Sequence, residues 1–266
     1  MNQEPTVRYE AADGIAVLTL SAPPTNCYSW ALMKQLDAAI LEARFDDDVE
    51  VIIVTGDGSR FFCAGADIEM LSSVTPTFKY YFCLHANETL SRLEHTPKLV
   101  IAAIGGHCVG GGLEVALAAD LRIARSGCGA WGVPEAKLGV LPGTGGTQRL
   151  SRLVGRQKAL RWMLESKTSK DWQEALEEGL VDKVIDAEPG DFLDAVKRYA
   201  GAFTTPNAAS MAIGHIKRAV QSGTQLPLEQ GLALERELQA KLFASDDAAE
   251  GLAAFVEKRK PRFSGR

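Results

Sequence analysis

Two glutamates stand alone in apolar, glycine-bounded surroundings, and isolated acids of that kind can do proton chemistry. Glu114 lies in LEVALAA (113–119), directly after the glycine-dense turn GGHCVGGG (105–112), and Glu135 lies in WGVPEA (131–136). Two carboxyls in unlike environments hold different protonation states at neutral pH, so one can give a proton while the other takes one. Glu114, in the first turn of an expected helix, should be favoured as the anion by the helix dipole. Glu135, among Trp131, Val133 and Leu138, should be raised in pKa by desolvation and keep its proton. Taken singly, each also fits an ordinary surface or first-turn glutamate. The glycine turn adds a second capacity, since a strand–turn–helix junction leaves backbone N–H groups directed at a ligand.

Other chemistries find little support. The four histidines (His85, His95, His107, His215) make no ligand-spaced pair, and no GxSxG elbow is present. GCGAWG (127–132) matches the dinucleotide fingerprint, but Val133-Pro134 follows where a helix is required, so it reads as a turn and short strand. PGTGG (142–146) is a second glycine turn without a Walker lysine. His107 and Cys108 read as packing and turn residues, and Asp46-Asp47-Asp48 as a solvated helix end. The net charge of −5 argues against a nucleic-acid footprint. Five scattered cysteines without a CxxC pair fit reduced thiols in the cytoplasm. The start, MNQEPTVRYE, has no basic and apolar export pattern, and no apolar run approaches the ~18 residues of a membrane span. The sequon at Asn87 carries no weight in that setting.

These groups need a scaffold to hold them. Strands are expected over 6–10 and 15–20, joined by a hairpin at Asp13-Gly14, with a helix over 30–44 capped by Ser29. A strand over 49–55 leads through FFCAGADI (61–68) to a helix over 77–94. The strand 99–104 then leads to the helix 113–119. Strand–helix units in succession predict an α/β fold. Further strands are expected at 121–124 and 181–185. Beyond them the pattern is helical over 192–203, 208–221, 226–243 and 248–258. The chain is accordingly divided into a core, 1–195, and a C-terminal helical region, 196–266.

Three stretches, FFCAGADIEML (61–71), GGHCVGGGLEVALAADLRIA (105–124) and WGVPEAKLGVLPGTGGTQRL (131–150), together resemble the crotonase, or enoyl-CoA hydratase/isomerase, superfamily. The resemblance covers essentially the whole chain. It implies a ββα spiral core with a C-terminal helical trimerisation region, in a homotrimer or a dimer of trimers. It also implies an acyl-CoA thioester substrate, with no cofactor beyond the coenzyme A that the substrate carries. By the same resemblance the amides of Ala66 and Gly111 form an oxyanion hole. Ala64, Gly65, Asp67, Ile68 and Gly110 flank it, and the 64–68 backbone receives the adenine end of CoA. Glu114 is then the base and Glu135 the proton donor in hydration of a 2-enoyl-CoA. Lys260 and Phe263, in the basic tail with Lys258, Arg259, Arg262 and Arg266, approach the CoA phosphate and adenine, including across a subunit boundary. A Δ3–Δ2-enoyl-CoA isomerase and an RNA-binding relative are the alternatives. Residues 21–30, SAPPTNCYSW, follow the family loop only loosely, with Cys27-Tyr28 where small or apolar residues are common. His107-Cys108 and Trp131 are further unusual choices. Tyr80, Tyr81 and Phe82 are expected to shape the acyl pocket and to suit a short or ring-bearing chain.

Overall fold

The computed structural model describes residues 4–265; Arg266 of the basic tail lies outside them. Ile15–Ser21 and Leu99–Ile104 are buried at every position, and Val51–Gly56 at all but its last. Continuous apolar runs of this kind belong to strands covered on both faces. They lie side by side in a six-stranded sheet ordered Thr6–Ala12, Ile15–Ser21, Val51–Gly56, Leu99–Ile104, Leu121–Arg125, Lys183–Ile185. The first pair is antiparallel, turning at Asp13-Gly14, where both residues have positive φ; the other pairs are parallel.

A second sheet carries the site. Its strands run in the order Phe61–Cys63, His107–Val109, Trp131–Gly132 and Thr168–Ser169. Three times the chain passes from a strand of the large sheet to one of the small sheet and then into helical structure. The first passage ends in the helices Ile68–Ser73 and Pro76–Glu94. The second ends in Gly111–Leu117, and the third in the 3₁₀ turn Glu135–Leu138. This repeated ββα passage is the spiral core. Each passage delivers one glycine-containing connection to the same end of the molecule.

Alternation along the strands divides the interior in two, because successive side chains leave opposite faces of a sheet. Ala16, Leu18 and Leu20 join one cluster with Leu32, Leu36 and Ile40 of the helix Trp30–Phe45. Ile15 and Val17 join the other, with Phe192, Val196 and Ala200. Ser29 caps Trp30–Phe45 by accepting from the Leu32 amide. The helix Phe192–Ala200 crosses the 195/196 division unbroken, with its buried face on the sheet. Beyond it, Ser210–Gly223 is tied back to the core by a buried Lys217–Asp120 pair at 2.8 Å and by Lys217 donating to the Lys98 carbonyl.

One element differs from its expected bounds with a clear cause. The helix read at 113–119 is Gly111–Leu117, so two residues assigned to the glycine turn are its first turn. A Cβ on Gly112 would overlap the Cys63 carbonyl, and only glycine lets the helix start this close to the strand Phe61–Cys63. GCGAWG behaves as read, ending in the two-residue strand Trp131–Gly132 with Trp131 fully buried. Among the described residues no helix is long and apolar enough to cross a membrane.

Candidate active site

The two segments proposed to supply amide donors meet, although 45 positions separate them. Gly65, at φ +100°, turns the chain between Phe61–Cys63 and Ile68–Ser73. A Cβ there would lie 3.1 Å from the Gly111 amide nitrogen. Next to it, Ala66 forms a bridge with Tyr28. Gly111 is the first residue of its helix, so its N–H has no intrahelical acceptor. Among the described residues neither the Ala66 nor the Gly111 amide donates a hydrogen bond. The surrounding backbone is tied down. Ala64 donates to Thr25 at 3.2 Å, Gly110 to Gly132 at 2.9 Å, and the Asp67 carboxylate caps the next helix by accepting from the Met70 amide. Ile68 is exposed at the rim.

Both acids border the Gly110 turn and are buried, but they are held very differently. Glu114 is enclosed by the loop 142–146: its Oε1 accepts from the amides of Thr144 (2.8 Å) and Gly146 (2.6 Å), and its Oε2 accepts from the Thr144 hydroxyl. A Cβ on Gly146 would lie 2.9 Å from Oε1, so this glycine allows the close approach. Glu135 enters from the 3₁₀ turn, and a Cβ on Gly110 would lie 3.2 Å from its Oε1. Among the described residues neither of its carboxyl oxygens has a hydrogen-bond partner.

The electrostatics follow from that contrast. Burial, helped by the nearby Glu114 charge, raises the Glu135 carboxyl to about 7, as expected from its apolar setting. For Glu114 the expectation needs correction. Its carboxyl is also raised above the ordinary value, because burial outweighs the hydrogen bonds from Thr144 and Gly146 and the Arg149 charge. The helix terminus that meets it is that of Gly146–Val154, where the Gly146 amide donates, rather than its own helix alone. An unpartnered acid near pH 7 can give or take a proton, whereas an acid held by three donors is fixed in place.

Several candidates fall elsewhere. Phe263 packs near Gly251, its amide donating to the Pro206 carbonyl at 3.2 Å. Gly265 lies near Glu50, where the strand Val51–Gly56 begins, whereas the site follows the far ends of the strands. Lys260 is exposed. Within one chain, therefore, neither Lys260 nor Phe263 joins the other candidates. Of the three aromatics at 80–82, Phe82 alone is buried, against Tyr28 with ring centroids 5.9 Å apart. Tyr80 and Tyr81 point outward at 66% and 61% exposure, because consecutive residues of a helix leave in different directions. The His107 Nδ1 accepts from the Ala130 amide and Cys108 is fully buried, in keeping with packing roles. Asn87 donates to the Gly143 carbonyl at 3.2 Å, so the sequon asparagine braces the loop that holds Glu114. Thr144, Gly146 and Tyr28 have no part in the site as read from sequence. The motif PGTGG and the odd loop residue at 28 were their only signals.

This repeated ββα fold, with open amides beside two buried acids, defines an acid–base enzyme of the α/β class. A family model described as enoyl-CoA hydratase/isomerase matches residues 10–266, and the chain belongs to that family. It is 37% identical over 247 residues to a short-chain-enoyl-CoA hydratase of Clostridium acetobutylicum, covering 92% of each chain. It is 34% identical to a crotonyl-CoA hydratase of Syntrophomonas wolfei, covering 96% of each. Among solved structures, an enoyl-CoA hydratase of Geobacillus kaustophilus superposes with a TM-score of 0.94 at 44% identity. That match covers 99% of this chain and 98% of that one.

Proposed function

We propose that this protein is an enoyl-CoA hydratase that adds water across the C2=C3 bond of a 2-enoyl-CoA. The observation that carries this reading is the pairing of two buried acids, one anchored and one unpartnered, beside two free amide donors. In this reading the thioester oxygen accepts from the amides of Ala66 and Gly111. Water, held and deprotonated by Glu114, attacks C3. The C2=C3 electron pair moves toward the thioester oxygen as an enolate, and preorganised donors of this kind are typically worth ~3 to 4 kcal/mol each. Glu135 then gives its proton to C2. Oxygen ends on C3, hydrogen on C2, and a proton passes from Glu114 back to Glu135 to reset the site. No cofactor enters, coenzyme A being part of the substrate.

The same proposal extends to assembly. Apolar side chains of the C-terminal helices, among them Leu228, Phe243, Phe255 and Val256, are exposed in the single chain, which supports a homotrimer or a dimer of trimers. Their helices form the proposed trimerisation region, 196–266, appended to the core 1–195. Lys260 and Phe263, held away from their own chain's site, would then serve a neighbouring subunit's CoA. All five cysteines are free thiols, which supports the cytoplasmic reading. Hydration of crotonyl-CoA, followed by loss of the conjugated enoyl-thioester absorbance, tests the activity. Binding of short-chain, long-chain and cyclic enoyl-CoAs without turnover would defeat it, and product analysis with a 3-enoyl-CoA detects isomerisation instead.

A further inference from the structure

Tyr28 joins the parts of this site from a single position in the loop before the helix Trp30–Phe45. Its amide donates to the Gly65 carbonyl at 2.9 Å and its carbonyl accepts from the Asp67 amide at 3.0 Å, so its backbone brackets Ala66. Its ring is fully enclosed, and a Cβ on Gly111 would overlap its hydroxyl oxygen. That hydroxyl lies 3.1 Å from Thr144 Oγ1, which in turn reaches Glu114 Oε2. An ionised carboxylate only accepts, and Thr144 has one hydroxyl hydrogen. While Glu114 is charged, Thr144 must therefore donate to it and accept from Tyr28. The chain of contacts runs from Tyr28 through Thr144 to the acid, all of it buried.

The geometry points to Tyr28, acting through Thr144, as a positioning residue that holds the Gly111 donor and the Glu114 carboxylate in their working arrangement. This inference rests on the hydratase reading above. A tyrosine that merely filled the core would need no hydroxyl partner, and phenylalanine would serve. Here the hydroxyl is spent on the residue that supplies two of the three hydrogen bonds to Glu114. The titratable groups facing that acid are Tyr28, Cys83 from the helix Pro76–Glu94, Glu135, and Arg149 from Gly146–Val154. Of these, Arg149 supports the anion, and the Glu114 charge in turn raises Glu135. The Thr144 hydroxyl favours the charged form as well, so its removal raises the Glu114 pKa and weakening it through Tyr28 does so to a smaller extent.

The test compares wild type, Tyr28→Phe, Thr144→Ala, Thr144→Ser and the double variant Tyr28→Phe/Thr144→Ala. Crotonyl-CoA hydration is measured against pH. Glu114 ionisation is followed separately by infrared difference spectroscopy, with Glu114→Gln as the blank. Thr144→Ala is expected to lower kcat roughly 10- to 100-fold and Tyr28→Phe about tenfold, with KM little changed. The Glu114 titration and the acidic limb of kcat move to higher pH in both, Thr144→Ser recovers most of the loss, and the double variant loses less than the product of the singles. Full kcat and an unmoved titration in Tyr28→Phe would overturn the inference. So would lowered urea stability with an unmoved titration, which would make Tyr28 core filling only. Absence of wild-type turnover counts against the hydratase reading alone, because the infrared titration still reports whether Tyr28 governs Glu114.

Discussion

Glu114 and Glu135 border the same glycine turn, yet among the described residues one has three hydrogen-bond donors on its carboxyl and the other has none. Both are raised by burial, so depth alone does not separate them. The separation comes from the neighbouring loops. The loop at 142–146 turns two amides and a hydroxyl onto Glu114, whereas the 3₁₀ turn at 135–138 buries Glu135 with no hydrogen-bond donor on its carboxyl among the described residues. A held acid keeps its geometry through a cycle, and an unheld one changes its proton easily. Two identical side chains are thereby given two environments, which the proposed hydration would use differently, and burying Glu135 without a partner costs the fold some stability.

The largest expected effect comes from removing either acid. Glu114→Gln and Glu135→Gln are each expected to lower kcat by roughly 10²- to 10⁴-fold, measured at saturating crotonyl-CoA. Equal rates in either variant and wild type would break the comparison. Gly111→Ala places a Cβ against the Tyr28 hydroxyl, and a displaced donor should cost about 10²- to 10³-fold in kcat/KM. Stability should distinguish the two acids in size. Glu135 has a folded pKa near 7, above its unfolded value, so folding is favoured most below the unfolded pKa and that advantage is lost as pH rises through about 7. Glu135→Gln should therefore stabilise the protein by about 2 kcal/mol at pH 8, with the gain shrinking toward pH 4 in urea melts. Glu114 is raised by burial as well, but Glu114→Gln sets a neutral amide against three donors and loses their charge-assisted hydrogen bonds, so its gain at pH 8 should be smaller than that of Glu135→Gln in the same melts. In the wild type, kcat should decline above pH 7 as Glu135 loses its proton. The smallest effect is expected from Gly146→Ala, whose Cβ would sit 2.9 Å from Glu114 Oε1; about a tenfold fall in kcat would follow from displacing a fixed acid.

Much of this was legible in the amino-acid order. Continuous apolar runs marked the central strands, the Ser29 cap marked a helix start, and the two lone acids stood out against their surroundings. The glycines marked where backbones approach closely, although the local pattern did not show that Gly111 and Gly112 already belonged to the helix. Tyr80 and Tyr81 looked equivalent to Phe82 because a run of aromatics does not reveal which one the helix turns inward.

By itself, then, the sequence determined the α/β character, the glycine connections and the identity of the two acids, because periodicity, turn chemistry and isolated charge are local properties. Only the tertiary structure decided that the Thr144 and Gly146 donors close on Glu114, that Glu135 is left without a partner, and that Tyr28 sits 116 positions from the hydroxyl it meets. Hydrogen-bond satisfaction depends on which groups the two sheets bring together, and no local pattern of residues carries that information.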